Sequence, residues 1–99
     1  MPASFATDSN FSNYLDNIEH RLNTVVETGN DEELFIASYF HGHFSLAASQ
    51  VNPEHPDPYH ALDVILKDNL NVAFTNGELA EPDQALVWTL WDSCKNNSL

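Results

Sequence analysis

Fifteen acidic side chains against three basic ones, Arg21, Lys67 and Lys95, leave this 99-residue chain with a formal net charge of −12. A surface with that field repels phosphate backbones and anionic lipid headgroups, so nucleic acid and membrane are disfavoured partners. A hydrophobic content of 42% marks a folded acidic protein and not a disordered acidic tail, and the length sets a single domain spanning residues 1–99.

The single cysteine, Cys94, excludes an intramolecular disulfide and suits a reducing compartment. The N-terminal stretch has neither a basic residue nor an apolar run of signal-peptide length. No segment approaches the ~20 apolar residues that span a bilayer. These features set the expectation of a soluble cytoplasmic protein. The acids are scattered over every helical segment, which favours a solubilising role over mimicry of a phosphate row.

Residues 1–8 read as a flexible N-terminal tail. The first helix is expected over 9–28, because Phe11, Tyr14, Leu15, Ile18, Leu22, Val25 and Val26 form one stripe at helical spacing. Gly29 is a suitable stop. A second helix is expected over 31–51, with Asn30 as cap and Glu33 completing a capping box. Asp31 and Glu32 favour its positive end. Phe35, Ile36, Tyr39, Phe40, Phe44, Leu46 and Ala47 cover nearly half its circumference, the pattern of a central helix. Asn52 to Pro58 holds three prolines and breaks the chain. Asp57 and Pro58 then form an N-cap and N1 pair for a third helix over 58–76, with Tyr59, Leu62, Ile65, Leu66, Leu70 and Ala73 on its apolar face. Gly77 ends it. A fourth helix over 82–95 starts at Pro82, behind the mediocre cap Glu81, and presents Leu86, Val87, Leu90, Trp91 and Cys94, with Trp88 at the stripe's edge. No stretch keeps the alternation of a strand. Short connections after the first and third helices predict an all-α fold, a compact antiparallel four-helix domain.

Three polar residues fall where the core is expected. His43 projects at the centre of the second helix's apolar arc, Asn69 at that of the third, and Asp83 on the side of Leu90 and Cys94. A buried polar group without a partner costs on the order of 1–3 kcal/mol, so each needs one. The expectation is a buried His43 bonded to Asn69, Asp83 or Gln84, with His41 and His60 exposed. Gly42, mid-helix beside His43, reads as a close-packing glycine against a large ring, Trp88 or Trp91. Tyr39, His43 and Asp83 form no recognisable catalytic triad, so no catalytic residue is assigned.

Five histidines invite a metal reading. His41 and His43 point about 200° apart on a helix, however. The pairs His60/Asp63 and Asp16/His20 have workable spacing but lie on solvent-facing arcs. No zinc, calcium, phosphate or dinucleotide motif is present, so no metal or cofactor is expected.

Two blocks carry a family resemblance. The first is Asp31-Glu32-Glu33-Leu34-Phe35 followed by Tyr39-Phe40-His41-Gly42-His43-Phe44-Ser45-Leu46-Ala47; the second runs Gly77-Glu78-Leu79-Ala80-Glu81-Pro82-Asp83-Gln84-Ala85-Leu86-Val87. Together they resemble the YfcL-like family of small bacterial proteins. The resemblance implies a fold and a bacterial origin, supplies no reaction, and draws attention to Tyr39, Gly42, His43 and Gln84. The preferred functional expectation is a non-enzymatic acidic module that binds a partner protein, with oligomeric state left open. The alternative is a small-molecule or metal-binding protein, enzyme included, built on Tyr39, His43 and Asp83.

Overall fold

The computed structural model describes residues 3–52 and 54–98, with side chains over 10–52 and 54–96. Four helices follow one another: α1 (Ala3–Thr28), α2 (Asp31–Gln50), α3 (Pro58–Thr75) and α4 (Glu81–Ser98). No strand occurs among the described residues. Helix α1 starts at Ala3, so the backbone of 3–8 is helical where a tail was expected; Met1 and Pro2 lie outside the described residues. Helix α4 also begins one residue early, with Pro82 in its first turn, where a missing N–H leaves no helical bond unmade.

The local signals act as their chemistry requires. Asn30 and Glu33 bond reciprocally, the Glu33 N–H donating to Asn30 Oδ1 at 2.8 Å and the Asn30 N–H to Glu33 Oε1 at 3.1 Å. Asp57 caps α3 by accepting the His60 N–H at 3.1 Å. Gly29 ends α1 without a positive φ. Its need is space: a Cβ there would stand 2.6 Å from the Val25 carbonyl oxygen and 2.9 Å from Glu33 Cβ.

Helix α2 packs against all three others and occupies the centre, as its wide apolar arc predicts. Phe40, Phe44 and Ala47 are buried on it, around Ile18 and Leu22 of α1, Leu62, Leu66 and Leu70 of α3, and Val87 and Trp91 of α4. Pairing is antiparallel: Glu19 meets His41 across α1 and α2, while Phe74 meets Trp88 and Asp63 meets Lys95 across α3 and α4. At one end Tyr59 wedges its ring edgewise against Phe11 and Tyr14, locking α3 to α1. Phe35 (51% exposed) and Leu46 (52%) were expected on the core face and instead face solvent.

Trp91 is fully buried, its ring 5.7 Å from Phe40 and 6.2 Å from Phe44. Its indole N–H donates to Asp63 Oδ1 at 2.7 Å. The same oxygen takes Lys95 Nζ at 3.0 Å, and Oδ2 takes Lys67 Nζ at 3.0 Å. Lys95 also sits 5.3 Å above the Trp91 ring centroid, a cation–π geometry. Two of the three cations of the chain thus converge on one carboxylate. Burial pushes the Asp63 pKa up, but the bonds from Trp91, Lys95 and Lys67 outweigh it and hold the carboxyl below its ordinary value.

A depressed folded-state pKa contributes stability that is present above the unfolded carboxyl value, about 4, and is lost as pH falls through the lower folded value. Asp63→Ala should cost about 2–3 kcal/mol at neutral pH, since it orphans a buried indole N–H and removes the counter-charge of Lys95. Asp63→Asn keeps an acceptor for Trp91 and should cost less. Denaturant melts at pH 7 and pH 3 check both: the gap between wild type and Asp63→Asn should narrow in acid, and equal stability of the three proteins at pH 7 would refute the role.

Candidate functional site

The sequence-derived site residues come together only in part. Tyr39 and His43 are one helical turn apart on α2, with ring centroids 4.8 Å apart. The side chain that meets them is Glu78, from the α3–α4 connection. Tyr39 Oη donates to Glu78 Oε1 at 2.9 Å, and His43 Nε2 stands 3.7 Å from that same oxygen. Burial first, then the bond to Glu78, pushes the Tyr39 phenol up to about 12, so it stays a neutral donor through the physiological range. Phe74 stacks on Tyr39 at 6.5 Å and meets Trp88 edgewise at 5.5 Å. The result is a half-exposed aromatic corner with one carboxylate.

Glu78 is aimed by the end of α3. Gly77 has φ +81°, its N–H donates to the Phe74 carbonyl at 3.0 Å, and the Glu78 N–H donates to the Ala73 carbonyl at 3.2 Å. These are the paired bonds of a Schellman motif, which reverses the chain and fixes the first residue beyond the glycine. Gln84 steadies the far side of the connection by donating to the Leu79 carbonyl at 2.8 Å.

Several expectations are corrected. His43 is not sealed in the core: its side chain keeps 22% of its exposure, and its partner is Glu78 rather than Asn69, Asp83 or Gln84. The buried face of α2 is set by Ile36, Ala37, Phe40, Phe44 and Ala47, whose mean direction lies about 70° from His43 at 100° per residue. The exposed Phe35 and Leu46 had drawn the apparent centre of the arc toward it. Asn69 is half-buried and donates to Gln50 at 3.2 Å, near the far end of α2. Asp83 is half-buried on α4 and makes no bond to His43. Gly42 is exposed, and a Cβ there would meet nothing within 4 Å, so no ring closes on it. His60 is exposed as expected, and His41 keeps 45% of its side-chain exposure while pairing with Glu19 at 3.7 Å. No group of three or more potential metal ligands gathers among the described residues.

A second feature was not anticipated. Val25 of α1, Ile36 of α2 and Leu86 and Leu90 of α4 form the floor of an open groove of about 250 Å³, bordered by Glu32, Glu33, Thr89 and Ser93. It continues past Val25, Leu90 and Ser93 into a hollow of about 210 Å³ bordered by His20, Arg21 and Thr24. Leu86 is 38% exposed and Val26, on the next position of α1, 43%. Leu34 and Phe35 are also exposed on the first turns of α2, outside the groove's lining.

The YfcL family model matches residues 12–96, and the chain belongs to that family. It is similar to the "Uncharacterized protein YfcL" of Escherichia coli (strain K12), at 31% identity over 72 residues, covering 73% of this chain and 78% of that protein. No solved structure matches. Among the described residues no helix is long and apolar enough to cross a membrane.

Gly77→Ala should cost about 1–2 kcal/mol, because a Cβ disfavours the left-handed backbone that aims Glu78. Gly42→Ala should instead stabilise by about 0.5–1 kcal/mol, as it relieves an exposed mid-helix glycine. His43→Ala should cost less than about 1 kcal/mol, since the side chain is partly exposed and its 3.7 Å contact with Glu78 is longer than a hydrogen bond. Chemical denaturation of the three variants tests the set; a large loss at Gly42→Ala would restore the close-packing role.

Proposed function

We propose that this chain is a non-enzymatic binding module that offers the groove between α1, α2 and α4 to a partner protein. The observation that supports it is the open apolar floor of Val25, Ile36, Leu86 and Leu90, bordered by Glu32 and Glu33 on a strongly acidic chain. An apolar opening rimmed by polar side chains is the kind of surface on which partner proteins dock. The Tyr39–His43–Glu78 corner favours the second reading, a small-molecule or metal site. It supplies one imidazole and one carboxylate oxygen 3.7 Å apart, fewer ligands than a protein metal centre requires, and it has no nucleophile–base pair. As an anchor for the α3–α4 connection the corner is fully accounted for.

Affinity capture from lysate of the source cells, at moderate salt and against a charge-matched acidic control, distinguishes the two. The wild type and His43→Ala should retain the same protein partner, and Leu86→Asp should lose it while melting like the wild type. If no protein exceeds the control, and a metal ion or metabolite instead raises the melting temperature of wild type but not of His43→Ala, the second reading replaces the first.

A further inference from the structure

Given that reading of the groove, the groove's own chemistry restricts what can lie in it. Its floor is aliphatic, so it lacks the aromatic walls that hold polyproline segments. No strand occurs among the described residues, so no sheet edge there can pair with an extended peptide. An extended backbone laid over Val25, Ile36, Leu86 and Leu90 would leave its N–H and C=O groups without partners. A helix satisfies those groups internally.

The geometry agrees. Leu86, Leu90 and Ser93 line one face of α4 at i, i+4, i+7, and Arg21 and Val25 line α1 at i, i+4. Two neighbouring helices so arranged leave a trough into which a third helix can set its ridges. From Leu86 to Ser93 the α4 wall runs about 10 Å, two helical turns.

Charge selects the sign of the occupant. The acidic end of the groove carries Glu32 and Glu33. Of the three cations in the chain, Lys67 and Lys95 are engaged by Asp63, and Arg21 stands at the opposite end of the groove. A second copy would bring another net charge of −12 against the same corner, which disfavours self-association. We infer that the groove receives a cationic amphipathic helix of a partner protein, its apolar stripe on Val25, Ile36, Leu86 and Leu90 and its Lys and Arg residues against Glu32 and Glu33.

The test uses the full chain and three synthetic peptides of about 18 residues, the length at which helices form readily. One is a Leu/Ala/Lys sequence with leucines at helical spacing, the second has Glu in place of every Lys, and the third scrambles the first to abolish the stripe. Binding is read by backbone amide NMR shifts and by helical circular dichroism. The Lys helix should move the resonances of Val25, Ile36, Leu86 and Leu90 and gain helicity on binding. It should bind at least about tenfold more tightly than the other two at low salt. Leu86→Asp should remove that binding, Glu32→Gln/Glu33→Gln should weaken it severalfold, and His43→Ala should leave it intact.

Equal binding of the scrambled peptide would reduce the effect to bulk charge and overturn the inference. So would shifts confined to another face, or a concentration-dependent dimer whose interface is the groove. Preference for the Glu helix overturns the cationic partner while leaving the groove as a docking surface. Failure of all three peptides, together with a captured partner that survives Leu86→Asp, overturns the docking surface itself.

Discussion

The bond from the Trp91 indole to Asp63 is the contact around which the rest of the fold is arranged. Trp91 fills the centre between Phe40 and Phe44 of α2, so burying it supplies much of the apolar contact of α4. An indole cannot be buried without a partner for its N–H, and the partner must therefore come from a neighbouring helix. Asp63 of α3 provides it. Placing a carboxylate at the core's edge then requires positive charge, and Lys67 and Lys95 supply it from α3 and α4. One large side chain thereby dictates the position of three polar ones and the join between two helices.

That arrangement explains the unusual distribution of charge. With three cations to set against fifteen acids, most carboxylates have no counter-ion in reach and must stay in water. The cations are concentrated where a carboxylate is half-buried, the place where pairing is worth most. Elsewhere Glu33 and Asp57 accept backbone N–H groups at helix N-termini, and Glu78 accepts the Tyr39 phenol. The surface field is thus left nearly uncompensated, and the groove between α1, α2 and α4 is bordered by two of the same acids, Glu32 and Glu33.

The parts of this fold that local chemistry decides were readable in the chain. The Asn30/Glu33 box, the Asp57–Pro58 start and the Gly77 stop each place a helix boundary through interactions within a few residues, and the observed ends fall within one or two residues of them. What escaped was decided between helices. A helical wheel averages every apolar residue, and it cannot tell that Phe35 and Leu46 lie on a face no neighbour covers. That error carried His43 into an imagined core. Asp63 was read as solvent-facing because its partner Trp91 lies 28 residues away, although its i, i+4 relation to Lys67 was a visible clue. Glu78 sat inside the second block of the family resemblance, next to Gly77, and an eye for what a Schellman turn aims would have found it. The groove had no signal along the chain, since it is a gap between elements.

Cys94 has a consequence of a different kind. It is fully buried, and burial pushes its thiol up to about 11 against the pull of Arg21. In the native packing it is both shielded and protonated, so electrophilic reagents have no thiolate to attack. Alkylation proceeds through openings that expose this segment of α4. As the single thiol in the chain, it is a built-in gauge: its labelling rate, divided by that of a free thiol, reads the fraction of time this part of the last helix stands open.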